Sequence, residues 1–227
     1  GERLDENRAA SLGETVASIP GVQSSNFGPG AGRPIIRGMD GPRVAVLSGG
    51  LSTQDVSTVS QDHAPTVEPF LADQIEVLKG PSTLLYGSGA IGGAVNVVDG
   101  RIPEYAIDNG ISGRAETRFH LGDLAGNTSM AGIDGVSDRF VLHADAVYRN
   151  ALDYDTPHGR QLNSFIDTKA GAVGGSLVGD WGFVGLPVAR FDIAYGNPGE
   201  PGDPDAGEPG VHLQMRQDRQ ELKGALR

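Results

Sequence analysis

The chain has 227 residues, with 18 Lys plus Arg against 29 Asp plus Glu and a formal charge of −11. That balance argues against a nucleic-acid partner, which needs a basic face, and suits a surface that handles cations. The chain has no cysteine, which excludes a disulfide framework and a thiolate metal site.

Glycine is 35 and proline 14. Glycine is well above its usual level of about 7%, so a folded chain with many tight turns and close backbone contacts is predicted. No run of about 18 apolar residues is present, so no transmembrane helix is encoded. A β-barrel escapes that test, because its lipid face is spread over alternate residues. Residues 1–10 are charged and lack an apolar signal core. For an exported protein, the expectation is that the signal peptide has been removed or was never part of this sequence.

The chain divides near residues 100–110, and the expected domains are residues 1–104 and 105–227. In the first part, residues 4–19 predict a short helix. Leu12, Val16 and Ile19 lie on one face, and Ser11 with Glu14 forms a capping box. Pro20-Gly21 stops it. Short strands are predicted at residues 34–37, 43–47, 74–79 and 94–98, with a helical turn at 82–86. Residues 49–69, rich in Ser, Thr and Asp, read as a long loop.

The second part alternates with period 2, which predicts β-strands. Ala115, Thr117, Phe119 and Leu121 oppose Arg114, Glu116, Arg118 and His120. Phe140, Leu142, Ala144, Ala146 and Tyr148 oppose Val141, His143, Asp145, Val147 and Arg149. Ala189, Phe191, Ile193 and Tyr195 oppose Val188, Arg190, Asp192 and Ala194. Val211, Leu213 and Met215 oppose His212, Gln214 and Arg216. The faces carrying Phe, Tyr, Leu and Ile are expected outward, and the polar faces with His120, His143 and His212 inward.

Turns at residues 135–138 and 179–181 are short, whereas the connections at 150–163 and 196–210 are long and polar. Short turns at one end and long loops at the other mark an outer-membrane barrel. About six strands are predicted, fewer than the roughly 8 of the smallest barrels. Open edges in lipid are forbidden, so a fragment of a longer barrel is expected.

Residues 87–92 fit G-x-G-x-x-G, the dinucleotide fingerprint, which needs a strand before it and a helix starting within it. Here a helical turn precedes and a strand follows, so close backbone packing is the preferred reading. The run IEVLKGPSTLLYGSGAIGGAVNVV at residues 75–98 resembles the most characteristic stretch of the plug domain of TonB-dependent receptors. LGETVASIPGV at 12–22, PIIRG at 34–38 and RVAVL at 43–47 agree with that family in order and spacing.

The resemblance implies an α+β plug domain followed by antiparallel transmembrane β-barrel strands of an incomplete barrel. In that family the plug sits inside a barrel of roughly 22 strands. It also implies the bacterial outer membrane with its lipid as surroundings, and the inner-membrane TonB complex as partner. The family's TonB-contacting box is expected upstream of Gly1.

Arg37, Arg43, Lys79 and Glu76 are expected as polar groups in a glycine-rich core, with a structural role favoured. At Asp62-His63 a carboxylate beside an imidazole supplies oxygen and nitrogen ligands that zinc accepts. The wider run SQDHAPTVEPFLADQIEVLKGP resembles the zinc-uptake subgroup of the family, in which the Asp-His pair sits on a plug apex loop. That resemblance makes Asp62 and His63 candidate zinc ligands, with the ion as transported substrate and not as a catalytic cofactor. Adjacent residues of a strand point to opposite sides, so both reach one ion only if the chain turns there, next to Pro65. The remaining ligands of about four would come from the barrel wall, beyond Arg227.

The loop at 197–210 has no histidine but carries Glu200, Asp203, Asp205 and Glu208. These attract cations weakly, and a solvated mobile loop is the preferred reading. His158 beside Asp155 and Asp153 is a secondary metal candidate. Ser48 and Ser88 lie next to glycine but lack the strand-to-helix elbow of a nucleophile, so no enzyme is expected. Ferric siderophore, haem and cobalamin compete with zinc as substrates, although residues 57–65 lack the aromatic and Arg-rich character of siderophore sites. A non-transporting β-rich binding or adhesin module is the alternative from another class.

Overall fold

Helix does form near the start, but in two pieces. In the computed structural model, which describes residues 2–87, 90–105, 110–122, 125–203 and 208–227, α1 is Glu2–Asn7 and α2 is Leu12–Val16. Between them Arg8 is buried, and its Nη2 donates to the Ala72 carbonyl at 2.8 Å. The Ala9 N–H donates to Thr15 Oγ1 at 3.1 Å in place of a helical carbonyl. Ser11 then caps a new helix, its Oγ accepting from the Glu14 N–H at 3.3 Å.

Leu12 and Val16 enter a core with Val22, Ile36, Val44, Val46, Val95 and Val97. Burying such a side chain contributes roughly 1.5–3 kcal/mol. Strands β1 (Val22–Ser24) and β2 (Pro34–Ile36) pair antiparallel. Strands β3 (Val44–Ser48), β4 (Leu51–Ser52), β5 (Gln74–Leu78) and β6 (Gly93–Val98) form a sheet of order β4-β3-β6-β5. β6 runs parallel to β3 and antiparallel to β5. It sits in the middle of its sheet and is almost entirely buried, as its unbroken Ala-Val-Asn-Val run requires. A Cβ on Gly93, the first residue of β6, would lie 2.5 Å from Ile36 Cδ1. Ser88, within the glycine-rich motif, lies outside the described residues; a 3-10 turn, Pro81–Tyr86, precedes the motif.

The charged residues of this core differ from expectation. Arg37 and Arg43 are exposed, Arg37 at a positive φ of 51° in a turn. Lys79 reaches the Pro20 carbonyl from the surface, and Glu76 accepts from Asn96 Nδ2 at 3.0 Å while only half-buried. Among the described residues of this unit the buried charges are Arg8, Arg33 and Glu68. Residue type does not reveal this, because a guanidinium enters a core only where carbonyls meet it.

The second unit is antiparallel. Its strands are β7 (Gly110–His120), β8 (Gly126–Ser137), β9 (Phe140–Ala151), β12 (Ile166–Gly179), β13 (Gly182–Gly196), β14 (His212–Gln220) and β15 (Lys223–Leu226). The short hairpin β10 (Asp155–Thr156) and β11 (Gly159–Arg160) lies in the connection after β9. The sheet order is β14-β13-β12-β9-β8-β7, with β15 pairing the first residues of β13. The described sheet is not closed: β7 and β14 stand at its edges.

Phe140, Leu142 and Tyr148 are exposed while Val141, Val147 and Arg149 are buried, as expected for β9. On β13 the expectation is inverted. Phe183, Phe191, Ile193 and Tyr195 share the covered face, and Val184, Leu186 and Val188 are exposed. On β14, Arg216 bonds Asp192, so His212, Gln214 and Arg216 lie on the uncovered face, not the inner one. The uncovered face carries Arg190 and Asp192, which pair with Asp218 and Arg216 on β14. The covered face takes the large rings because it is packed, as where Phe183 meets Val141 and Val178.

Candidate functional site

The segment from Asp55 to Thr66 is long and polar, yet it is braced. Asp55 Oδ1 accepts from the Ser57 N–H at 3.1 Å and from Ser57 Oγ. Its Oδ2 accepts from the Thr66 N–H at 2.9 Å and Thr66 Oγ1 at 3.1 Å. One carboxylate therefore closes both ends of the loop. Buried Arg33 lies behind it, donating to Ser57 Oγ, to the Gly41 carbonyl at 3.2 Å and to the Val44 carbonyl at 2.7 Å. Burial draws the Arg33 guanidinium below its ordinary pKa, against the pull of Asp55 and Asp40.

Within this loop the chain turns: the His63 N–H donates to the Ser60 carbonyl at 3.2 Å. The turn brings the two sequence-predicted side chains together. His63 Nδ1 lies 2.9 Å from Asp62 Oδ1, which also accepts from Ser60 Oγ at 2.5 Å. The Ser60 bond, more than His63, holds the Asp62 carboxyl below its usual range, with slight burial opposing. Asp62 and His63 keep 36% and 27% of their side-chain surface exposed, so a solute reaches them. Both bonds use Asp62 Oδ1. When Nδ1–H faces a carboxylate, the imidazole presents its lone pair at Nε2, the arrangement by which carboxylates orient metal-binding histidines.

The turn is also held from β13. The Tyr195 hydroxyl donates to the Asp62 carbonyl at 2.6 Å and accepts from the Ala64 N–H at 3.0 Å. Sequence reasoning missed this, because it pointed Tyr195 outward.

The other candidates are placed differently. Asp155 stands opposite Arg160 in the β10–β11 hairpin, and the His158 N–H in its turn donates to Thr156 Oγ1 at 3.2 Å. Asp153 accepts from the Ser164 N–H at 2.7 Å. Asp205 lies outside the described residues. Asp203 and Glu208 bond each other through their backbones at 3.0 and 2.8 Å. The base of that acidic loop is built on Asn163, whose Nδ2 donates to the carbonyls of Asn197, Glu200 and Val211 at 3.0, 3.1 and 2.8 Å. Among the described residues, no group of three or more His, Asp or Glu side chains is arranged to hold an ion.

Residues 1–94 match the family described as TonB-dependent Receptor Plug Domain. The chain is 33% identical over 101 residues to the vitamin B12 transporter BtuB of Vibrio vulnificus, covering 43% of this chain and 16% of that protein. It is 27% identical over 134 residues to the BtuB of Photobacterium profundum, covering 58% and 22%. The solved copper transporter OprC superposes with a TM-score of 0.76 at 21% identity, covering 95% of this chain and 32% of that one. The siderophore receptor PirA from Acinetobacter baumannii gives 0.74 at 19% identity, covering 97% and 35%. The matched lengths span 16% and 22% of these curated relatives.

Residues 1–94 are thus similar to the plug domain of TonB-dependent receptors, and part of the chain is similar in sequence to BtuB. The strands after it resemble a fragment of a TonB-dependent receptor barrel. By name these relatives are transporters and receptors, not enzymes, for vitamin B12, siderophore and copper; zinc is not among the substrates they name.

Proposed function

We propose that this chain is the N-terminal part of a TonB-dependent outer-membrane receptor for active uptake of a scarce nutrient, with residues 1–104 as plug and 105–227 as barrel strands. Zinc ion is the substrate we favour. The observation that supports it is the turn that brings Asp62 and His63 side by side with both side chains partly exposed. A substrate ion binds at this turn, and ligands outside this chain complete its shell. Force from the TonB complex of the inner membrane then remodels the plug and passes the ion inward.

Cobalamin is the second reading, favoured by the likeness to BtuB. Calorimetry with the full-length receptor in detergent separates the two. Zinc binding that Asp62→Ala/His63→Ala abolishes supports the first. Cobalamin binding with no zinc binding replaces it. A full-length protein that is soluble and stable without detergent overturns the receptor reading in favour of a non-transporting module.

A further inference from the structure

We infer that Tyr195 is a positioning residue for the Asp62–His63 pair; this rests on the zinc reading above for its ligand, but not for its geometry. One hydroxyl bonds the peptide groups on both sides of His63, donating to the carbonyl before it and accepting from the N–H after it. The direction in which the imidazole leaves the backbone is thus set by a side chain 131 residues away from Ala64.

The clamp is itself rigid. Tyr195 is 1% exposed. Its ring root packs on Gly30 so closely that a Cβ there would lie 3.1 Å from Tyr195 Cβ and Cγ. On the other side the chain continues through Gly196, whose N–H donates to the Phe165 carbonyl at 3.1 Å, to Asn197, whose carbonyl Asn163 holds. Three consecutive residues therefore tie the turn bearing Asp62 and His63 to the base of the acidic loop at 197–210. A lone imidazole on a free loop samples many directions and must be ordered on binding; a clamped one is ordered beforehand.

The test is Tyr195→Phe in the full-length receptor in detergent, which keeps the ring and removes the hydroxyl. Hydrogen exchange by mass spectrometry reads the peptide containing residues 60–66, and cobalt(II) serves as a visible probe of metal geometry. The expected result is faster exchange at this peptide, a visible spectrum of bound cobalt(II) that differs from wild type, and affinity lowered about tenfold, the scale of one or two lost hydrogen bonds. A structural role alone would lower the unfolding temperature and leave the spectrum of bound cobalt(II) unchanged.

Wild-type exchange in the variant overturns the inference. So does faster exchange with unchanged cobalt(II) affinity, provided Asp62→Ala/His63→Ala abolishes binding. If the wild type binds neither cobalt(II) nor zinc, the zinc reading falls, and the exchange measurement still decides whether Tyr195 holds the turn.

Discussion

Arg101 and Asp145 form a two-pronged ion pair, with Nε to Oδ2 at 2.8 Å and Nη2 to Oδ1 at 3.1 Å. The pair fastens the chain just past residue 100 to the middle of β9. Asp145 also accepts from His143 at 3.1 Å, and the other imidazole nitrogen lies 2.7 Å from Asp134. Removing one partner of such a buried pair strands the other charge, which costs about 3–5 kcal/mol. Asp145→Ala is expected to destabilise the protein by that amount in denaturant unfolding of the full-length receptor. The double variant Arg101→Ala/Asp145→Ala should recover part of the loss.

Asp55 closes the loop that carries the candidate site. Asp55→Ala removes the bonds to Ser57 and Thr66 together. Loss of a charged acceptor of this kind costs about 1.5–3 kcal/mol. The measurable signature is a fall in unfolding free energy together with faster hydrogen exchange across residues 55–66.

Gly93 admits no side chain. A Cβ would lie 2.5 Å from Ile36 Cδ1 and 3.0 Å from the Leu78 carbonyl oxygen. Gly93→Ala is expected to cost about 1–3 kcal/mol by overpacking. Thermal unfolding reads this directly.

Leu142 is exposed on the outer face of β9. If that face meets lipid, Leu142→Arg costs about 2–4 kcal/mol when near the membrane midplane. Reversible folding into lipid vesicles measures it. A near-neutral effect would place the face in water and favour a non-membrane module.

Asp62 supplies a pH prediction. Its folded value is depressed, so the stabilisation it brings is present above the unfolded carboxylate value of about 3.9 and is lost as pH falls through the depressed value. Ser60→Ala removes the main cause, so most of that stabilisation is absent at every pH and the acid-linked loss shrinks. Unfolding of metal-free receptor should show the variant less stable than wild type near about pH 5, with the difference shrinking as pH falls toward about 2. Coincident profiles would deny Ser60 this role.

Much of the architecture could be read from residue order, because period 2 and turn chemistry are local. The strands beginning near Val44, Gln74 and Phe140 fall where predicted, and the Asp62–His63 turn follows from its neighbours. What escaped depended on partners distant in the chain. Arg33 looks like any surface arginine until the Gly41 and Val44 carbonyls and Ser57 close round it. Tyr195 reads as outward because it shares the apolar face of Phe191 and Ile193, opposite Arg190 and Asp192, and only the bonds with Asp62 and Ala64 set its side. Asn163 gives no signal at all, since its three carbonyl acceptors lie 34 to 48 residues on.

The most direct test of the central claim is zinc uptake by cells carrying the full-length receptor as their sole zinc receptor. The uptake should require both TonB and the Asp62–His63 pair, so that it falls to background in a strain lacking TonB and in Asp62→Ala/His63→Ala. Uptake unchanged by either loss would contradict the account.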